Sequence, residues 1–283
     1  MKVSRDLDTT IHLIELTQYD NLYYNTYMRV FPPRINYDEK FAHLNHAPIT
    51  EAVIDIRIIS LPSWNYKEIK KTLEVKLPTY PKIDETREVK YMVNIGGAPP
   101  KTEDLGCVGL RLTSYDGCYV AQFNQTGFVI SRLKKYEDWQ KFCDEAKKLW
   151  LIYCELLNPT AVKRIGVRFI NNMPANYSSQ EFLKFFKDPP KKKQVYDWEL
   201  QNFLHRDVLH IPGTNYYVNL IRAILSSPTP QESVGTILDI DVFCEQQVNC
   251  SWESVSPHLK AMHWAKNKAF FETITSKKLK GLK

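Results

Sequence analysis

Charged side chains set inside apolar runs are the first candidates for chemistry in this sequence. Asp55, Arg57, Arg111, Arg168, Arg222, Asp239 and Asp241 each interrupt a stretch rich in Ile, Val, Leu and Phe, where successive side chains of a strand point to opposite faces. Asp55 with Arg57, and Asp239 with Asp241, stand two apart and so share a face. A charge on a sheet needs a partner or water. Two readings follow. One is a ladder of cross-strand ion pairs on a solvated face, worth ~0.2 to 1 kcal/mol per pair. The other is a ligand or partner surface on which the arginines grip an anionic ligand, a phosphate backbone or an acidic peptide, because a guanidinium offers planar, two-pronged donors.

Other chemistries are less well supplied. Asp239, Asp241 and Glu245 could form a magnesium-binding carboxylate cluster, but the sequence places no lysine or histidine to complete a nuclease. The histidines pair as His43 with His46, His205 with His210 and His258 with His263. A five-residue step on a helix separates side chains by ~140°, too far for one ion. With HExxH and CxxC spacings absent, neither a metal nor another cofactor is expected. His46 reads as a turn residue before the first strand, and His263 as the edge of the last helix. Gly96-Gly97-Ala98-Pro99-Pro100 lacks phosphate-loop spacing and reads as a turn, and there is no GxSxG elbow. The 6 cysteines read as small buried thiols of a reducing compartment. Lys191, Lys192 and Lys193 form a basic loop, and residues 277–283 a frayed basic tail. Both read as solvated surface, with contact to RNA, DNA or an acidic protein as the alternative.

The elements that must position these residues begin with a helix over Tyr136 to Leu157. Trp139, Phe142, Cys143, Ala146, Leu149, Trp150, Tyr153, Cys154 and Leu157 recur at three- and four-residue steps, with Glu137 and Asp138 in the first turn and Asn158-Pro159 as the stop. Strands are expected at 52–59, 89–95, 108–113, 119–124 and 128–133, with Asp116-Gly117 as a hairpin turn, and a short helix at 66–75. The same order follows again: strands at 162–170, 203–211, 216–225 and 236–244, a short helix at 180–186, and a last helix over 257–273. Ser256 is the expected cap of that helix, Pro257 sits in its first turn, and Val255, Leu259, Met262, Phe270 and Ile274 form its stripe. The fold class is therefore α+β: duplicated strand-helix-strands-helix halves, a mostly antiparallel curved sheet against two long helices, and a second sheet face left free. Residues 41–158 form the first half and 159–276 the second, after an aromatic N-terminal extension over 1–40.

Several stretches resemble a family of bacterial proteins of similar length and sporadic distribution that has no established general activity. They are Leu44-Asn-His-Ala-Pro-Ile-Thr-Glu-Ala-Val-Ile-Asp-Ile-Arg57, Leu133-Lys-Lys-Tyr-Glu-Asp-Trp139, Arg164-Ile-Gly-Val-Arg-Phe-Ile-Asn-Asn172, and the tail from Leu259 to Thr275 with His263, Asn267, Phe271-Glu272 and Ile274-Thr275. The resemblance covers roughly residues 41–276 and implies a scaffold, with no catalytic residues to carry over. The sporadic distribution is similar to that of genes carried with bacterial antiviral defence, including accessories of CRISPR-type systems. The two halves are similar in layout to TATA-binding-protein-like folds.

Composition narrows the classes. With 283 residues, 43% hydrophobic and 12% aromatic, the chain can bury a large core. A net charge of +6 permits a nucleic-acid partner without arguing for one. No apolar run approaches the ~20 residues needed to cross a bilayer, so no membrane contact and a cytoplasmic location are expected. The leading expectation is a non-catalytic binding or regulatory protein with a protein partner. Nucleic-acid or nucleotide binding through the arginine face comes second, and a metal-dependent hydrolase third.

Overall fold

A computed structural model of the chain describes residues 35–92, 101–133, 136–174, 185–189, 203–225 and 235–283. These belong to one compact unit, Arg34–Lys283. The expected short helix at 180–186 lies almost wholly outside them, as do the basic loop Lys191, Lys192 and Lys193, the Gly96-Gly97 turn and nearly all of the N-terminal extension.

Among these residues, nine strands form a single antiparallel sheet. They are β1 (Ile49–Ile58), β2 (Lys82–Met92), β3 (Lys101–Thr113), β4 (Tyr119–Asn124), β5 (Gly127–Leu133), β6 (Val162–Pro174), β7 (Phe203–His210), β8 (Tyr216–Leu225) and β9 (Gly235–Cys244). Their spatial order is β2-β3-β4-β5-β1-β6-β9-β8-β7. The sheet is continuous across the expected boundary at residues 158–159, because β1 pairs with β5 on one side and β6 on the other. Ile56 stands opposite Phe128 and Ile165, and Ile54 opposite Ile130 and Val167, so the buried residues of these strands share one face. Gly127 is obligatory in this seam. Its φ is +147°, and a Cβ there would lie 2.3 Å from the Ile56 carbonyl oxygen.

Helices α1 (Tyr66–Lys76), α2 (Trp139–Leu157), α3 (Trp252–Thr273) and α4 (Ser276–Lys280) complete the described structure. The apolar stripe of α2 buries Phe142, Ala146, Leu149, Trp150, Tyr153 and Leu157, and Trp150 and Tyr153 meet the Phe128 ring of β5. Their polar tips are satisfied: Trp150 Nε1 donates to the Cys250 carbonyl at 2.9 Å, and the Tyr153 hydroxyl to the Asn124 carbonyl at 2.8 Å. α3 covers the same sheet face beyond the seam, where its Lys266 lies over the Phe169 ring of β6. No helix among the described residues is long and apolar enough to cross a membrane.

Several boundaries differ from the sequence reading for identifiable reasons. Asp138 does not sit in the first turn of α2. It is the N-cap, accepting from the Lys141 amide at 2.8 Å, and Glu137 lies outside the helix. α3 starts five residues earlier than expected. Ser251, not Ser256, caps it by accepting from the Ser254 amide at 3.3 Å, and Pro257 falls inside the helix. The tail is not frayed: residues 276–280 are helical, Leu282 is buried, its carbonyl accepts from the His46 amide at 3.0 Å, and Asn45 donates to the Lys283 carbonyl at 2.6 Å.

Candidate functional site

The sheet face away from the helices holds most of the charged residues singled out above, and they are largely paired with one another. Arg168 on β6 grips Asp239 on β9 with two bonds, Nε at 2.8 Å and Nη2 at 2.6 Å. Arg164 donates to Asp55 at 2.5 Å and to Asp241 at 3.4 Å, with its guanidinium 4.9 Å from the Phe243 ring centroid. It reaches Asp55 by lying across Gly166, the residue opposite Asp55, where an added Cβ would sit 2.9 Å from Nη1. Arg57 also bonds Asp55, at 3.1 Å, and is 57% exposed. Burial raises the Asp241 carboxyl above the ordinary carboxylate range, although Arg164 and Arg168 pull the other way. The bond to Asp239 raises the Arg168 guanidinium further. Arg111 is exposed opposite Asp84 and Gln122, and forms no ion pair among the described residues.

Arg222 is not on this face, which corrects the sequence reading. It stands opposite Leu238 on β9 and His205 on β7, so it shares the helix side with the buried Leu238. There it donates to the Asp188 carbonyl at 2.5 Å, to Asp207 at 2.9 Å and to His205 Nδ1 at 2.9 Å. It is a buried cation tied to its own chain, turned away from any ligand on the open face.

No protein-family model matches the chain, and no curated protein matches it. The site has to be read from its own geometry.

Asp239 and Asp241 are each held by an arginine, which leaves them poorly placed for a metal. No group of three or more His, Cys, Asp or Glu able to hold an ion occurs among the described residues. At the margin of the sheet, β7 has a neighbour on one side only among the described strands. Leu204 and Val208 on its open face are 73% and 56% exposed, and Leu209 on the other face is 50% exposed.

A cavity of about 500 Å³ lies where residues 41–49, the entry to α2, β6 and α3 meet. Stretches that are far apart in sequence converge here: Leu44 to Ile49, Tyr136 to Trp139, Asn171, and His263, Asn267 and Phe271. His263 is therefore not a helix-edge residue. Its ring stacks flat on Trp139, with centroids 4.3 Å apart and planes 4° apart, and its Nε2 accepts from Asn267 at 3.4 Å. Burial, and secondarily the charge of Lys266, lowers its pKa to about 3 and keeps the ring neutral. Phe41 stacks on Phe271 at 5.3 Å.

Lys266 lines this cavity at 7% exposure. Its ammonium sits 3.9 Å from the Phe169 ring centroid and has no hydrogen-bond or ion-pair partner among the described residues. Desolvation lowers its pKa from the usual 10.5 to about 7. The signal for it was present in the sequence. The apolar stripe of α3 runs Val255, Leu259, Met262, Phe270, and the position that completes its three- and four-residue steps is 266. A lysine at a core position of a helix stripe marks a buried amine.

Proposed function

We propose that the protein is a non-catalytic binding protein that acts through contact with a protein partner, which adds to its sheet at the β7 edge. The observation that carries this reading is one of the two terminal strands, β7, with Leu204, Val208 and Leu209 exposed along eight residues and no described strand on its outer side. An open edge strand bearing exposed apolar side chains templates pairing with another chain, its backbone groups giving affinity and its alternate side chains giving selectivity. Nucleic-acid binding through the arginine face is the weaker reading, because Arg164 and Arg168 already meet Asp55, Asp239 and Asp241, and a phosphate would have to displace those carboxylates. The same pairs weigh against a metal-dependent hydrolase. The resemblance to the sporadically distributed bacterial family adds a role as an accessory of an antiviral defence system. The strand order supports an internal duplication, since β5-β4-β3 flank β1 as β9-β8-β7 flank β6, with a long helix after β5 and after β9.

Affinity capture from the native host, with the wild-type chain and with Leu204→Lys/Val208→Lys, tests this reading. A protein captured by the wild type should be lost from the variant while the thermal midpoint stays unchanged, because both side chains are exposed. Nucleic acid recovered in place of protein, or undiminished capture by the variant, overturns it.

A further inference from the structure

The cavity between α2 and α3 has the size of a small-molecule site, within the ~300–1,000 Å³ range of such pockets. Its walls include two stacked ring pairs, Trp139 with His263 and Phe41 with Phe271. Among the described residues two carboxylates line it, and both are engaged at the start of α2: Asp138 accepts from the Lys141 amide, and Glu137 pairs with the Lys141 ammonium. Among the described residues, Lys266 is the only lysine or arginine in the lining, and it meets neither a carboxylate nor a carbonyl there. A buried ammonium without an anion is a deficit that a ligand can fill.

We infer that this cavity binds a small aromatic carboxylic acid, whose carboxylate pairs with Lys266 and whose flat body lies against the ring-lined walls. A phosphate ester fits less well. It would bring up to two negative charges to a single ammonium, and the N-terminus of α2, which elsewhere would attract it, is already occupied by Asp138. An uncharged aromatic would leave the ammonium unpaired. The site is independent of the β7 edge and goes beyond the proposed partner contact.

The binding has a proton signature. Lys266 is mostly neutral at pH 8 in the empty cavity, and a carboxylate beside it favours the ammonium, so the acid enters with uptake of a proton. The other titratable groups facing the cavity are His43, His263, Tyr136, Glu137 and Asp138. His263 stays neutral at that pH, and the two carboxylates are held in their own contacts at the start of α2.

Isothermal titration calorimetry of the full chain at pH 8, in phosphate and in Tris, with benzoate, indole-3-carboxylate and their uncharged amides, tests the inference. The acids should bind at least tenfold more tightly than the amides, with uptake approaching one proton per acid. Lys266→Met should lose at least tenfold for the acids and not for the amides. Acids that bind no better than amides, binding without proton uptake in the wild type, or undiminished acid binding by a folded Lys266→Met each overturn it. The proton count is read on the wild type, so it decides the matter even if the variant were to misfold.

Discussion

Replacing Lys266 by Met should make the free protein more stable, by an amount that depends on pH in a calculable way. The folded-state pKa of about 7 lies below the usual 10.5, so between those values the unfolded chain binds a proton that the folded chain does not. The destabilisation is complete below about pH 7 and disappears as pH rises past 10.5. Its full size is about 5 kcal/mol, at about 1.4 kcal/mol per pH step. At pH 7 about 4 kcal/mol of it is present, and at pH 9 about 2, as upper limits set by local relaxation around the amine. Met has a similar unbranched stem and a thioether suited to the Phe169 ring that now faces the ammonium. His43, His263, Tyr136, Glu137 and Asp138 face the same cavity in both proteins, and His263, whose pKa burial chiefly lowers to about 3, is neutral at both pH values compared. Urea denaturation at pH 7 and pH 9 measures it. The expected result is a more stable variant whose advantage roughly halves between the two. A variant no more stable than wild type at pH 7, or an advantage independent of pH, would show that the amine is solvated or paired and would refute the reasoning.

Two further perturbations probe the scaffold. Gly127→Ala forces a side chain into a left-handed residue and against the Ile56 carbonyl, and should cost about 3 kcal/mol in chemical denaturation, with the thermal midpoint falling accordingly. Asp116 accepts from the Ser114 hydroxyl at 2.6 Å and the Cys118 amide at 2.9 Å in the β3–β4 turn, which lowers its pKa to about 2. Its stabilisation is present above about pH 4 and fades as pH falls towards 2. The side chain is 57% exposed, so Asp116→Asn should lose only about 1 kcal/mol at pH 7, with the gap closing in urea melts near pH 2.

Much of the architecture was legible because its signals are local. Period-two runs located β1, β4, β5, β6, β7, β8 and β9 to within a few residues, and the apolar stripe with Asn158-Pro159 located α2. β2 was found only at its C-terminal end. Its first residues, Lys82 to Glu88, carry a single apolar side chain, Ile83, too few for a period-two run, and their strand character comes from pairing with β3. The α3 boundary was missed because Pro257 reads as a helix start, while the Ser251 cap lies a turn and a half earlier.

The sequence by itself determined where the backbone extends or coils and which charges fall inside strands, since these depend on neighbours a few residues away. Only the tertiary structure decided which face each charge joins. In β8, Val218 and Leu220 alternate with Ile221 and Ala223, so both faces look apolar, and it is pairing with β9 that turns Arg222 towards the helices. The cavity was likewise out of reach. Asn45, Trp139, Asn171 and Lys266 come from four separate stretches, and an amine is denied a partner only when all of them close around it.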